Sequence, residues 1–183
     1  MSFNAPAQIP QQPNSAAITD STGRVSTPWA LFFNNLVLTV KGLVSSVSNL
    51  QQNVAFSVWQ SVTQTLVAAT VTKVNFQAGE FDLGAWFDTT LMRYTPKVAG
   101  YYSITGGVYV GSPAAGLIYL YKNGVVYKYG EYTPSEYIST LSCLVYLNGT
   151  TDYIELWVYS SIANTVQTGQ PGCWFQGVLV ARA

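Results

Sequence analysis

Histidine is absent from this chain of 183 residues, and Asp, Glu, Lys and Arg together make up only 9% of it, against about 25% in a typical soluble domain. Without imidazole, the commonest general base is gone, and with it the Ser-His-Asp and Cys-His systems and most zinc sites. The eight basic and eight acidic side chains cancel, so no basic field exists to hold nucleic acid or anionic lipid. Cysteine is nearly missing too. Cys143 and Cys173 are too few for a disulfide framework and stand in no metal-ligand spacing. Cys143 shares a strand face with Leu141, Val145 and Leu147, which predicts a buried free thiol.

Long apolar runs are lacking as well. The nearest, "LFFNNLVLTVKGLVSSV", is interrupted by Asn34, Asn35 and Lys41, short of the roughly eighteen residues a spanning helix needs. The first residues have no charged stretch followed by an apolar core, so no secretory signal is expected and the chain reads as made in a cytoplasm. The carboxylate neighbours Glu80 and Asp82, and Asp152 and Glu155, read as solvated loop residues rather than an acid–base pair. Asp88 and Glu131 are the best calcium ligands available, but no dedicated ligand loop surrounds them. "NGT" at Asn148 matches a glycosylation acceptor, yet a turn explains it. The expectation is therefore no enzyme, no cofactor, no metal, no nucleic acid and no membrane.

What the chain has in quantity is aromatic surface. All 13 tyrosines lie between Tyr94 and Tyr159. A neutral, charge-poor, tyrosine-rich chain favours association, and obligate interfaces resemble a core cut in half. An obligate oligomer is the expectation.

Three segments follow one another. Residues 1–27 hold Pro6, Pro10 and Pro13 among Gln, Asn and Ser, too little apolar surface to order alone. They predict an extended arm, either a mobile tail or a docking segment that offers Phe3, Ile9 and Ile18. Residues 28–66 predict a stem helix, with Thr27 as cap and Pro28 at the first helical position. Trp29, Phe33, Leu36, Val40, Leu43, Val47, Leu50 and Val54 step by four and three, a heptad seam. Val58, Val62 and Leu66 continue at steps of four. Valine at one seam position with leucine at the other leans toward two strands, while Val37 and Val44 widen the stripe toward three.

Residues 70–183 predict a β head, mainly as a sandwich or jelly roll, with turn signals every eight to twelve residues. "YLYKNGVVYKY" and "VYLNGTTDYIELWVY" each set Asn-Gly between strands, the dipeptide of tight hairpins. Strands are expected near 71–77, 91–95, 100–110, 116–122, 125–131, 138–147, 152–160 and 173–182. Several have two apolar faces. In "TDYIELWVYS", Ile154, Leu156 and Val158 oppose Tyr153, Trp157 and Tyr159; a sandwich buries only one face of each sheet. In "LIYLYK", Ile118 and Leu120 likewise oppose Leu117, Tyr119 and Tyr121, and such aromatic faces read as an interface. Tyr132 and Tyr137 in "GEYTPSEYIS" form a candidate receptor patch on a loop.

The β segment resembles the globular head of complement component C-one-q, within the tumour-necrosis-factor-like jelly rolls. The residues that carry it are "KVNF" as first strand, "FDLGAWFD", "RYTPKVAGYYSITGGVYV", "LYKNG", "STLSCLVYLNGTTDYIELWVY" and the closing "WFQGVLVA". The resemblance implies a ten-stranded jelly roll assembled as a tight trimer, with neighbouring subunits covering the aromatic faces. Animal members are secreted, often behind a collagen stalk; here a heptad helix stands in the stalk's place. "ITDSTGRVSTPWALFFNNL" is similar to attachment segments of bacteriophage fibre and adaptor proteins. Together the two resemblances imply a homotrimeric virion protein, a tail or head fibre or adaptor. Its arm would bind portal, tail or capsid proteins. The alternative is a receptor- or carbohydrate-binding head of a fibre or bacterial surface protein, contacting a host glycan or protein.

Overall fold

The structure, a computed structural model, describes residues 10–13, 16–50 and 54–183, with the side chains of 46–50 left out. The chain divides into two compact units, residues 1–52 and 53–183.

The first unit is built on one helix, α1 (Thr27–Leu50), 24 residues long and thus about 36 Å at 1.5 Å per residue. The Ser26 carbonyl accepts the Ala30 amide, so the cap lies at Ser26, one residue before the expected Thr27, and Pro28 sits harmlessly in the first turn. Residues 16–26 are not a plain tail. Thr19 bridges to Val25 around a turn in which Asp20 Oδ1 accepts the Thr22 amide, the Thr22 hydroxyl and the Arg24 amide. This small hairpin is tied to the helix: Trp29 Nε1 donates to the Ala16 carbonyl at 2.8 Å and Ser26 Oγ to the Ala17 carbonyl. Trp29 was expected only in the seam; its indole N–H also fastens the arm. Phe3 and Ile9 lie outside the described residues.

The helix does not run to residue 66. The second unit begins in β1 (Ala55–Trp59) and β2 (Gln64–Leu66), followed by β3 (Thr70–Lys73), β4 (Ala78–Asp82), β5 (Phe87–Asp88), β6 (Arg93–Tyr94), β7 (Gly100–Lys122), β8 (Val125–Leu147), β9 (Ile154–Ser160), β10 (Asn164–Val166) and β11 (Cys173–Arg182). The first head strand is therefore "AFSVW", not "KVNF". Phe56 and Val58 alternate into the core, while Val54, expected in the stem seam, is buried in the same core and accepts the Leu179 amide through its carbonyl. A four-residue spacing of valines suits a helix and a period-two strand alike, since four is a multiple of two.

Two sheets face each other. One runs β4, β1, β11, residues 100–110 of β7 and residues 138–147 of β8, all antiparallel. The other sets β3 and β6 along β9, then residues 116–122 of β7 and 125–133 of β8. Strands β7 and β8 thus pass through both sheets, bending where their register slips between Tyr109 and Gly116, as corner strands of sandwiches do. β10 pairs with β2 and touches β7 at Val110, and β5 pairs with β6.

The core between the sheets is aromatic. Phe56 stacks on Tyr94 at 4.0 Å, Phe76 on Phe175 at 5.7 Å, and Phe56 meets Phe175 edge-on at 5.2 Å. Glycine is required at 177: a Cβ there would lie 2.5 Å from Ile104 and 2.8 Å from the Phe56 ring. Tyr102 donates its hydroxyl to the Val98 carbonyl at 2.7 Å, and burial pushes its phenol up to about 12. Cys173 is buried and its thiol is likewise raised to about 12 by desolvation. Cys143 is only half-buried, and desolvation raises its thiol too.

The first Asn-Gly pair behaves as expected: Asn123 (φ 53°) and Gly124 (φ 79°) close the β7–β8 hairpin with the positive angles such a turn demands. The second does not join paired strands. β8 ends in one sheet and β9 begins in the other, so Asn148-Gly149 is a crossing turn. Asn148 Oδ1 holds it by accepting the amides of Thr150, Thr151 and Asp152.

Candidate subunit interface

The outer face of the first sheet carries a group of exposed apolar residues, bordered by Glu80, which accepts a hydrogen bond from Ser57, and by Lys122, whose ammonium lies 5.6 Å from the Tyr146 ring. Strand alternation sends Tyr101, Ser103, Thr105 and Tyr109 of β7 outward, opposite Tyr146, Leu144, Ser142 and Ile138 of β8. On the other side of β7, Gln176 pairs with Thr105 and Val178 with Ser103, and Ala55 of β1 pairs in turn with Val178. None of these side chains is charged. Leu144 is 58% exposed, Tyr101 49%, Val178 46% and Tyr146 40%. The bulge in β11 between Leu179 and Ala181 leaves Val180 exposed beside them. Small side chains at the centre create a hollow of about 320 Å³ between Phe81 and Val178, floored by Ala55, Ser103, Thr105 and Gly177. A knob-accepting apolar surface of this kind is what an interface core requires.

The second sheet carries the aromatic residues that the sequence singled out. Tyr119 pairs with Trp157, Tyr121 with Glu155 and Leu117 with Tyr159, so Tyr119, Tyr121, Trp157 and Tyr159 do share one outer face, with Tyr153 at its edge. Yet each is half-buried within a single chain. Tyr121 stacks on Trp157 at 4.6 Å, Tyr119 meets Tyr129 at 5.5 Å, and Tyr153 lies under Arg93 at 4.5 Å. The shelf closes over a buried carboxylate: Glu155 pairs with Lys73 and accepts the Trp157 indole N–H at 3.0 Å. Desolvation by its neighbours raises the Tyr119 phenol. Much of the aromatic surface is thus covered by its own neighbours. The sequence reading did not single out Leu144, Tyr146 and Val178; their signal was the apolar residue recurring on the face opposite the core in "CLVYL" and "GVLVA".

Tyr132 and Tyr137 lie in β8 rather than in a loop, across the stretch where its register slips. Tyr132 is exposed and Tyr137 stacks on Tyr109 at 5.6 Å. In α1, Phe33, Val40 and Leu43 are exposed, Trp29 and Leu36 half-exposed; the side chains of Val47 and Leu50 lie outside the described residues. Leu31, Val37, Leu38 and Val44 are exposed as well, an apolar surface wider than one seam. No described helix is long and apolar enough to cross a membrane. Among the described residues no cluster of His, Cys, Asp and Glu fits a metal ion.

No family model matches the chain, and no curated protein matches its sequence. Solved structures do match the head. The globular domain of zebrafish complement 1qA protein aligns with a TM-score of 0.55 and 14% identity, over 72% of this chain and 100% of that one. Eiger TNF from S. frugiperda aligns with a TM-score of 0.55 and 6% identity, over 72% and 94%. Murine APRIL aligns with a TM-score of 0.52 and 11% identity, over 70% and 100%. The head therefore has the C-one-q and tumour-necrosis-factor jelly-roll fold.

Proposed function

We propose that the chain is a homotrimeric structural protein of a bacteriophage virion, a fibre or adaptor whose amino-terminal segment attaches to the particle. The observation that carries the trimer is the apolar outer face of the first sheet, with Tyr101, Leu144, Tyr146, Val178 and Val180 exposed together and with charge only from Glu80 and Lys122 beside them. A contiguous apolar face of that kind marks an interface, and a second copy of the same charge-poor chain supplies the matching surface. The helix supports the same reading, because apolar side chains cover much of its circumference, as in a helix buried on several sides. Three parallel copies would bury that circumference more completely than two.

Attachment rests on the hairpin and helix start of "ITDSTGRVSTPWALFFNNL". The hairpin leaves Ile18 and Val25 exposed, giving portal, tail or capsid proteins an apolar hold. The experiment is incorporation. Chains lacking residues 1–27 should form soluble trimers that are missing from purified particles; truncated protein recovered in virions at the normal level would refute attachment through this segment.

A further inference from the structure

A cleft in the head lies where β5 pairs with β6, at the β6 end of the second sheet. It is an open hollow of about 440 Å³ lined by residues 85–88 with Arg93, Thr95 and Lys97. The β5–β6 pairing builds it, placing Asp88 opposite Arg93 and Phe87 opposite Tyr94. Trp86 is held by packing over Gly84, where a Cβ would come within 2.4 Å of the indole, and its carbonyl accepts the Thr95 amide at 3.0 Å.

The polar groups here are fixed but not used up. Asp88 Oδ1 accepts the amides of Thr90 and Leu91, both at 2.8 Å, while Oδ2 accepts no hydrogen bond from a described residue. The Thr95 hydroxyl also has no partner among the described residues. Arg93 is braced over the Tyr153 ring at 4.5 Å, and Lys97 is exposed. Neither cation forms a salt bridge with a described residue, whereas Lys73 and Lys122 are committed to Glu155 and Asp152.

We propose that this cleft binds an acidic saccharide, its carboxylate held by Arg93 and Lys97 and its hydroxyls by Asp88 Oδ2 and Thr95, with Trp86 giving the apolar wall. The volume suits one or two sugar rings, within the usual range of about 300–1,000 Å³ for ligand sites. An arginine fork and a lysine suit a carboxylate. The Asp88 carboxylate decides between anions: it repels a bare phosphate or sulfate but accepts hydrogen bonds from a ligand carrying hydroxyls beside its acid group. Arg93 and Lys97 in turn oppose a metal cation at Asp88.

The test titrates the full chain with sialyllactose, a glucuronate-terminated disaccharide, lactose and sodium sulfate, read by calorimetry and by saturation-transfer NMR. At least one acidic sugar should bind, with lactose and sulfate weaker by about tenfold or more, the usual worth of one hydrogen bond to a charged group. Lys97→Gln, at an exposed position, should weaken the acidic sugar by about tenfold with an unchanged melting temperature. Arg93→Gln should do the same and Thr95→Val less. Equal binding of lactose or sulfate, no binding of either acidic sugar, or full binding by Lys97→Gln overturns the proposal. None of these outcomes bears on the oligomeric state, so failure here and failure of the trimer are separable.

Discussion

Tyr101 and Tyr146 stand directly opposite each other across the β7–β8 pairing, ring centroids 5.5 Å apart, with the Lys122 ammonium 5.6 Å from the Tyr146 ring. Both remain well exposed, so the contact they make within one chain covers only part of them. Beside them, Leu144 and Val178 flank Ser103 on either side. The first prediction concerns this face. Leu144→Glu and Val178→Glu should each dissociate the assembly, because an unpaired charge buried at an interface costs about 3–5 kcal/mol. Light scattering should find folded monomers with an unchanged circular dichroism spectrum. Oligomers of wild-type mass in both variants would place the interface elsewhere.

The second sheet provides the contrast. Trp157 is packed against Tyr121 and donates to Glu155, so Trp157→Glu sets a second carboxylate beside a buried one. It should lower the melting temperature of the head itself. Should Trp157→Glu dissociate folded subunits while Leu144→Glu does not, the aromatic shelf is the interface and the present assignment is reversed.

Turns reveal how much the sequence could say. Asn-Gly at 123–124 predicted its hairpin because the dipeptide's own backbone preference decides the matter locally. Asn-Gly at 148–149 signalled a turn equally well, yet which strands it joins depends on pairings tens of residues away. The jelly-roll fold was legible in order and spacing along 100–182. The helix end was not: Val54, Val58 and Leu66 satisfy a helix pattern, and only antiparallel pairing with β11 and β4 makes 55–59 a strand. The aromatic face was legible as unusual composition, but exposure depends on neighbours. Tyrosines that cover one another look identical in sequence to tyrosines left open.

Asp152 links the two Asn-Gly turns. Its Oδ1 accepts Asn123 Nδ2 at 2.8 Å, and its Oδ2 accepts the Asn148 amide at 3.0 Å and pairs with Lys122 at 2.9 Å. Burial pushes its pKa up, but the hydrogen bonds from Asn123, Lys122 and Asn148 outweigh that and hold it below 3.8. A carboxylate depressed on folding stabilises fully above its unfolded value and loses that contribution as pH falls through the folded one. Melting temperatures of the wild type should therefore fall below about pH 4, more steeply than those of Asp152→Asn. Parallel pH profiles would show that Asp152 is not differentially held. At neutral pH, Asn123→Ala should cost about 1.5–3 kcal/mol, the worth of hydrogen bonds to a charged group, read from urea midpoints.

Gly177 tests the core. Its missing side chain lets Ile104 and Phe56 close over β11, so Gly177→Val should destabilise by about 1–3 kcal/mol through overpacking. Phe56→Ala should cost about 3–5 kcal/mol. Denaturant unfolding showing no loss for either would contradict the packing described.

The helix should contribute to association independently of the head. Leu36→Asp, at a half-exposed seam position, should weaken assembly while leaving the melting transition of the head intact. Sedimentation at graded concentrations would show the shift, and an unaltered association constant would assign the helix no part in it.

The central claim is that three copies associate through their heads and helices. Native mass spectrometry of the purified 183-residue chain tests it most directly. The account predicts a single species at three times 19.9 kDa, with no dimer appearing on dilution before monomer. A folded monomer at 19.9 kDa, or a stable dimer, would contradict it.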